Sequence, residues 1–463
     1  MRQNYYLFRK WNGSSYLITN ELGYYQFINS CDFNNLVEEK YSDIPKGVLD
    51  ELEEKGFVYN DNPMVFVEHA ANLFRQSKQY LFYGTCLHIF VLTNMCNQNC
   101  VYCQAQDENS PQKGLMSYET ARKAVEIALQ SQSRSLDFEF QGGEPLLNFS
   151  TIKYIIEYTE KNKNDKSISY SLVTNTLLLS EEMISFLKQY SVSLSTSLDG
   201  DKLVHDSNRP TLKGEGTYNR VIENIQVLRR KGVAVSAIQT TTATSLRFAK
   251  QIVDAYIEAE LDTLFIRPLT PLGYAKEHWQ TIGYEPNEFL HFYKESLDYI
   301  LSKNAEGYFI REGHAVLFLR KILNRNPGNY MELRSPCGTG IGQIAYYYDG
   351  NVYTCDEGRM LGEMGFNYFQ LGTVDDKYQD LMDSRVCKVT CQSSVLEALP
   401  SCCDCVYHPY CGVCPVVNIA MNDNIYARQA NDYRCRIYKG LLDILFSYIE
   451  KRPDVLRIFE TWI

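Results

Sequence analysis

Leu92-Thr-Asn-Met-Cys-Asn-Gln-Asn-Cys-Val-Tyr-Cys-Gln104 is the stretch that decides the fold, because it sets Cys96, Cys100 and Cys103 four and then three residues apart. Iron-sulfur cubes take cysteine thiolates from such short runs. Because a cube has four irons, one iron finds no ligand within the run and can bind a small molecule. Zinc is the alternative, but structural zinc closes its shell with a further Cys or His, and no His lies near this run.

Length and composition indicate a globular protein of several domains. The 463 residues are enough for about three domains, and 45% hydrophobic with 22% charged residues is ordinary for such proteins. The net charge of -10 gives no basic face for nucleic acid. Since the start lacks a secretory signal and we find no run of about 18 apolar residues, we expect a cytoplasmic protein without a membrane partner. In that compartment thiols stay reduced, so the fifteen cysteines indicate metal binding.

From about residue 85, short β-rich runs alternate with amphipathic helical stretches. This alternation predicts an α/β fold, a partial barrel built from six βα units around a parallel sheet. The six strand candidates are His88–Leu92, Leu136–Phe140, Ser167–Val173, Val192–Ser197, Val233–Gln239 and Thr263–Arg267. Such folds carry their chemistry at the carboxyl ends of the strands.

Polar residues follow these strands. The cysteine run follows the first strand, and Gln141-Gly-Gly-Glu-Pro145 follows the second. Paired glycines let a backbone approach a ligand closely, and Glu144 is an acceptor suited to an ammonium group. Later strands add a polar set on the same rim, although short polar residues also cap helices and form turns: Asn175, Ser195, Ser197, Asp199 and Arg209.

Three motifs together carry a family resemblance. They are the cysteine run with Tyr102 before its last cysteine, the Gly-Gly-Glu-Pro segment, and Ser197-Leu-Asp-Gly200 followed by His205-Asp206 and Arg209. Over roughly residues 85–300 this pattern resembles the radical S-adenosylmethionine (SAM) superfamily. The resemblance implies a [4Fe-4S] cluster whose open iron chelates SAM, and cleavage of SAM to a deoxyadenosyl radical that abstracts a substrate hydrogen.

Carried over residue by residue, the resemblance assigns roles around SAM. Cys96, Cys100 and Cys103 would hold the cluster, while Gly142, Gly143 and Glu144 would face the methionine ammonium. Ser197 and Arg209 would contact the ribose or carboxylate of SAM, and Asn175 lies on the same rim.

Ten of the fifteen cysteines lie in the last third of the chain. A zinc ribbon is one interpretation of Cys402-x2-Cys405-x5-Cys411-x2-Cys414. The order of Cys337, then Gly350-x4-Cys355 behind a hairpin turn, then this dense motif and Cys435 resembles instead the SPASM extension of radical SAM enzymes, which carries two auxiliary clusters.

The resemblance assigns Cys402, Cys405, Cys411 and Cys435 to the outer auxiliary cluster. It assigns Cys337, Cys355 and Cys414 to the inner one. The chain departs from the usual pattern by having Gly-Thr-Gly-Ile-Gly-Gln after Cys337, where another cysteine is common. Either Cys387 or Cys391 completes the inner cluster, or one of its irons stays open for substrate.

Asp356 directly follows Cys355. In sulfatase-maturing relatives this position carries the aspartate that deprotonates the substrate, so the resemblance implies a catalytic base. The alternative is a hydrogen-bonded turn residue beside Glu357 and Gly358.

Residues 1–75 form a module of their own. Strand-like runs at Tyr5–Phe8, Tyr16–Thr19 and Tyr24–Ile28 precede two helix candidates, Phe33–Tyr41 and Gly47–Lys55. This order resembles the winged-helix peptide-recognition element of peptide maturases, which implies a leader peptide added as a strand to the sheet edge. DNA binding is disfavoured by the acidic helices, and a purely structural cap is the other alternative.

The sequence therefore predicts a radical SAM peptide maturase with three regions: a recognition module (1–75), a partial barrel (85–320) and a SPASM domain (330–463). The resemblance implies SAM, three [4Fe-4S] clusters, a precursor peptide and an electron donor such as flavodoxin or ferredoxin. The overall length, the amino-terminal module and the motifs look similar to those of maturases of the His-Xaa-Ser system, and crosslinking is the expected chemistry. A formylglycine-forming sulfatase maturase and an electron-transfer protein are the alternatives.

Overall fold

The structure is a computed structural model that describes residues 1–60, 62–106, 113–326, 328, 330–427 and 432–463. Its strands form a two-stranded, a three-stranded and a ten-stranded sheet. The strands are β1 (Arg2–Gln3), β2 (Leu7–Asn12), β3 (Ser15–Thr19), β4 (Tyr25–Asn29), β5 (Val58–Tyr59), β6 (Leu87–Val91), β7 (Ser135–Gln141), β8 (Ser167–Val173), β9 (Ser193–Ser197), β10 (Val235–Thr240), β11 (Thr263–Arg267), β12 (Arg311–Glu312), β13 (Gln343–Tyr346), β14 (Asn351–Tyr353) and β15 (Gln370–Thr373).

Helices cover the outer face of the large sheet and build most of the last third of the chain. Within the described residues, none of them combines the length and apolar composition needed to cross a bilayer. The helices are α1 (Ser30–Val37), α2 (Lys46–Glu54), α3 (Pro63–Ser77), α4 (Tyr118–Leu129), α5 (Phe149–Asn162), α6 (Glu181–Gln189), α7 (Lys202–Asn208), α8 (Tyr218–Arg230), α9 (Ala249–Glu258), α10 (Tyr274–Glu277), α11 (Trp279–Ile282), α12 (Pro286–Ala305), α13 (Gly313–Leu323), α14 (Asp356–Glu363), α15 (Tyr378–Asp383), α16 (Arg385–Gln392), α17 (Pro415–Asn422), α18 (Tyr433–Lys451) and α19 (Pro453–Trp462).

The six predicted barrel strands are confirmed as β6 to β11, which lie side by side in chain order and are all parallel. Their side chains alternate between the helix-covered face and the barrel interior. On β7, for example, Phe138 and Phe140 are fully buried against the helices, whereas Asp137 and Glu139 line the interior. This polar inner face leaves the barrel open for a ligand rather than filled by side chains.

The ten-stranded sheet extends beyond the six barrel strands. β13 pairs in parallel with β6, and β14 and β15 continue antiparallel beyond it. The turn at Tyr348-Asp-Gly-Asn351 forms the predicted hairpin, with Gly350 at a φ of 98°. The long loops that carry the second group of cysteines are therefore anchored to the same sheet that carries the first group.

The amino-terminal module has three strands as predicted, but the first covers Leu7–Asn12 instead of Tyr5–Phe8. Its second helix ends before Gly56, whose φ is 70°. The first helix begins three residues earlier than predicted, at Ser30, because the side chain of Asn29 caps it. One face of the β2-β3-β4 sheet packs on α18. Arg9 donates to Asp443 at 2.9 Å, and Trp11 donates to Glu450 at 2.9 Å. The module is thus held against α18, the second-last helix of the chain.

Candidate active site

One large cavity of about 630 Å³ lies inside the open barrel. Its walls come from the carboxyl ends of the barrel strands and from the start of α14. The candidate site residues predicted from the sequence that line it are Cys96, Cys100, Cys103, Gly142, Gly143, Asn175, Ser195, Ser197, Arg209 and Asp356. The cavity therefore brings together residues that span more than a hundred positions of the chain.

The cysteine loop is held by the glycine segment. Gly143 N donates to Thr93 O at 2.8 Å, and Glu144 N donates to Met95 O at 2.8 Å. A Cβ on Gly142 would lie 2.5 Å from Thr93 O. The sequence suggested that these glycines approach a ligand, but the structure shows that they first approach the backbone of the cysteine loop.

Glu144 lies behind the rim and is fully buried. Its carboxylate accepts from Leu146 N at 3.0 Å, from Thr174 Oγ1 at 2.7 Å and from Asn175 N at 2.9 Å. Burial raises the pKa of this carboxyl to about 7, against the lowering effect of these donors. Glu144 thus ties the second and third strand ends together, and its contact with a methionine ammonium stays a prediction.

Asn175 and Ser197 complete the rim. Asn175 Nδ2 donates to Asn97 Oδ1 at 2.7 Å, which links the third strand end to the cysteine loop. Ser197 ends β9 and lines the cavity beside it. Asn97 is a positioning residue that the sequence pattern did not single out, because a lone Asn in a loop carries no signal.

Arg209 is fixed beside the cysteine loop by a buried acid. Its Nε donates to Asp199 Oδ2 at 3.1 Å, and its guanidinium carbon lies 5.1 Å from the centre of the Tyr102 ring. The same Asp199 oxygen accepts from Tyr102 Oη at 2.6 Å and from Asn208 Nδ2 at 3.2 Å. Asp199 is fully buried, so it orients the Arg209 charge toward the cavity.

Asp199→Asn is expected to destabilise the chain by about 3–5 kcal/mol, because breaking a buried ion pair leaves one charge without compensation. The urea-unfolding midpoint of the metal-free chain measures this effect. Asp375→Asn is the matched control, since Asp375 pairs with Lys123 at the surface and such pairs contribute about 0–1 kcal/mol. Equal shifts in the two variants would contradict the assigned role.

Asp356 begins α14 and lines the far wall of the same cavity. Its carboxylate forms an ion pair with Arg359, whose side chain is almost fully buried. Arg359 was missed by the sequence reasoning, although its position three residues after Asp356 in a helix is the spacing of such pairs. Asp356 therefore lies at the cavity beside a cation that holds its orientation, and its role as a base stays a prediction.

The second group of cysteines separates into two sets. Cys402, Cys405, Cys411 and Cys435 line one pocket together with Cys414. Burial raises the pKa of Cys414 well above its usual value, and the neighbouring Cys337 thiol, the Glu357 carboxylate and the Cys355 thiol raise it further. The structure thus groups the four thiols of the predicted outer set around one pocket, which Cys414 of the predicted inner set also lines.

Cys387 and Cys391 lie one turn apart on α16. Burial, followed by the Cys391 thiol, raises the pKa of Cys387 to about 11. Cys387 Sγ is 3.0 Å from the position that a Cβ on Gly340 would take. These two thiols therefore neighbour each other and the loop after Cys337.

Comparison with protein families matches residues 90–266 to the radical SAM superfamily. These residues form a radical SAM domain. The match covers the cysteine run, the glycine segment and Arg209, all of which line the central cavity. The protein is a radical SAM enzyme, and its domain implies one [4Fe-4S] cluster and SAM.

Relatives of this radical SAM enzyme are similar over most of the chain. A cysteine-type anaerobic sulfatase-maturating enzyme of Clostridium novyi is 26% identical over 326 residues, which is 68% of this chain and 83% of that protein. The solved structure of native anSMEcpe with bound AdoMet has a TM-score of 0.67 at 21% identity, covering 81% of this chain and 99% of that one. SuiB of Streptococcus suis bound to precursor peptide SuiA has a TM-score of 0.57 at 16% identity, covering 94% of this chain and 100% of that one.

Proposed function

We propose that this radical SAM enzyme modifies residues of a ribosomally made precursor peptide, with a crosslink as the product. The observation that carries this proposal is the single cavity that joins the cysteine loop to Asp356. Its volume of about 630 Å³ lies within the usual range of small-molecule sites. Two relatives support a peptide substrate, since one is named a sulfatase-maturating enzyme and SuiB was solved with a precursor peptide.

The amino-terminal module holds the leader part of this peptide. β2 and β4 are the edge strands of its sheet, and an extended peptide can add to such an edge. The aromatic residues Tyr5 and Phe8, at or beside the β2 edge, are 54% and 53% exposed. Because α18 fixes the module in place, a bound leader would have a fixed orientation relative to the barrel.

Three [4Fe-4S] clusters serve the reaction. One is held by Cys96, Cys100 and Cys103, and the outer and inner auxiliary clusters are held by the two cysteine sets of the last third. A small electron-transfer protein, flavodoxin or ferredoxin, supplies electrons. We place the enzyme in the cytoplasm, where its cysteines stay reduced.

When bound, the open cluster and SAM supply a deoxyadenosyl radical that removes a substrate hydrogen atom. The chain's own residues arrange this event. Asp199 orients the Arg209 guanidinium, which would bind the carboxylate or ribose of SAM, and the rim residues Asn175 and Ser197 would bind its other polar groups. Asp356, oriented by Arg359, would take the substrate proton.

Asp356→Asn is expected to lower peptide modification by about 10²–10⁴-fold, the usual contribution of a general base. Deoxyadenosine formation should continue, because radical generation does not use Asp356. Chromatography of deoxyadenosine and mass spectrometry of the peptide measure the two quantities in one reaction. An equal fall in both would contradict the role of Asp356 as a base.

The substrate test uses the peptide encoded beside this gene, incubated with reconstituted enzyme, SAM and a strong reductant. A crosslink removes a pair of hydrogens from the peptide mass. The second candidate function, formylglycine formation as in the sulfatase-maturing relatives, is favoured by Asp356; it would also remove two hydrogens and, from cysteine, would exchange sulfur for oxygen, while the aldehyde that it leaves reacts with a hydrazide probe. Absence of deoxyadenosine would overturn both candidates and leave an electron-transfer protein.

A further inference from the structure

A second cavity, of about 180 Å³, lies where the amino-terminal module meets the last third of the chain. Residues 21–23 of the module, in the turn between β3 and β4, form one of its walls, and the ends of α3 and α13 form others. Its volume is below the range of about 300–1,000 Å³ that is usual for small-molecule sites, so it suits a side chain or a small anion. We call it the cationic cleft, after four side chains that line it: Lys78, Lys321, Arg325 and Arg334.

Lys321 is one of two buried cations in this cleft, with 9% of its surface exposed. Its Nζ donates to Leu333 O at 2.6 Å and to Tyr410 O at 3.1 Å. Both acceptors are uncharged, and no carboxylate of the residues that the structure describes forms an ion pair with Lys321. The ammonium is therefore fixed in place by neutral partners, and its charge is not neutralised by them.

Two arginines of the cleft are stacked on tyrosine rings. Arg334 is 3% exposed, and its guanidinium carbon lies 3.8 Å from the centre of the Tyr80 ring. Arg325 is exposed, and its guanidinium carbon lies 4.4 Å from the centre of the Tyr24 ring. A ring fixes a guanidinium through its face but carries no negative charge, while the N–H donors point outward in the guanidinium plane.

The acids of the cleft do not balance these cations. Glu397 pairs with Lys78 at 2.9 Å and lies 3.7 Å from His408, so it is already matched. Glu21 is the other acid among the described lining residues, and it is exposed. The three remaining cations thus face one exposed acid, although the chain as a whole has a net charge of -10. The cleft is complementary to an anion.

The cationic cleft shares a wall with the central cavity. That wall is the segment 330–335, whose first three residues line the cavity and whose last three line the cleft. The opposite wall of the cleft belongs to the amino-terminal module. The cleft is therefore bounded both by the module that is proposed to hold the leader and by a segment of the cavity in which the radical forms.

We propose that the cationic cleft binds an Asp or Glu side chain of the precursor peptide, in the segment between its leader and the residues that are modified. This inference rests on the peptide substrate of the proposed function. The negative charges of a ribosomally made peptide at neutral pH are mainly carboxylates, and arginine binds a carboxylate through two parallel hydrogen bonds. The contact sets the register of the peptide, so that residues at a fixed distance from the acid reach the cavity.

The test measures binding of the fluorescently labelled peptide encoded beside this gene to the reconstituted full-length chain, by anisotropy without oxygen. Arg334→Gln is expected to raise Kd about 10–100-fold, the effect of losing a hydrogen bond to a charged group. Peptides in which one Asp is replaced by Asn, or one Glu by Gln, then identify the partner. One of them should bind the parent weakly and should bind Arg334→Gln no more weakly still, because both changes remove the same contact.

A second variant and a control accompany Arg334→Gln. Arg325→Gln removes an exposed side chain, so it also serves if Arg334→Gln does not fold. It should raise Kd about two- to fivefold, as loss of an exposed ion pair does. Arg230→Gln is the matched control, since Arg230 is an exposed arginine at the end of α8, outside the cleft, and it should bind the peptide as the parent does.

Three results would overturn the inference: unchanged binding in both cleft variants, equal weakening for the intact and for every substituted peptide, or a precursor peptide without Asp or Glu. Slower reduction of the enzyme by flavodoxin, with unchanged peptide binding, would assign the cleft to the electron donor instead. A parent that neither binds nor modifies the peptide would contradict the proposed function itself.

Discussion

Replacing Cys96, Cys100 and Cys103 with alanine is expected to abolish deoxyadenosine formation and to remove about four irons from the reconstituted chain. All three thiols lie on one loop that lines the central cavity, and we propose that they hold the cluster that binds SAM. The auxiliary sets lie on other loops, so their iron should remain. Iron analysis and chromatography of the SAM cleavage products measure the two effects.

Cys31→Ala is the matched control, because Cys31 is exposed on the amino-terminal module. It should keep both the iron content and the cleavage activity of the parent. Deoxyadenosine above background in the triple variant would show that SAM is cleaved elsewhere. A loss of all the iron would show that the three sites are not independent.

Gly143→Ala is expected to remove the same cluster without touching a ligand. A Cβ at this position would lie 2.1 Å from Met95 O and 2.5 Å from Met95 C. Both atoms belong to the backbone, so the loop that carries Cys96 must move. We expect a destabilisation of about 1–3 kcal/mol, the range for overpacking, and loss of the SAM cluster in iron analysis.

Gly47→Ala serves as the control for Gly143→Ala. Gly47 lies in α2 with no atom within 4 Å of its added Cβ, so alanine should stabilise this helix by about 0.5–1 kcal/mol. Urea unfolding compares the two variants. An intact cluster in Gly143→Ala would mean that the cysteine loop tolerates the displacement, and that the glycine serves ligand access alone.

Much of the barrel was predictable because its signals are local. The strands Ser167–Val173 and Thr263–Arg267 agree with the structure at both ends, since strand periodicity and the following helix are both encoded within about thirty residues. The continuation of the sheet by β13 was not predictable, because it pairs Ile344 with His88 across more than two hundred and fifty residues. Pairing at that separation leaves no periodic signal in either segment.

The candidate site also has a part that was predictable from the sequence and a part that was not. Cysteine spacing predicted the SAM cluster, because three cysteines within eight residues can bind one metal group independently of the rest of the chain. The role of Glu144 was less predictable, since its three donors come from Leu146, Thr174 and Asn175. The role of a buried acceptor is set by the groups that donate to it, and two of these donors, Thr174 and Asn175, follow another strand.

The sequence by itself determined the predicted chemistry of this protein. It indicates a cluster with one open iron on a parallel barrel of six βα units, followed by a second group of cysteines. Short-range spacing is sufficient for that, because ligands and strands close together in the chain are close in space. Only the tertiary structure decided how distant residues group. It brought Cys402, Cys405, Cys411 and Cys435 to one pocket, and it fixed the amino-terminal module on α18. Such groupings depend on packing between elements far apart in the chain, which no local pattern encodes.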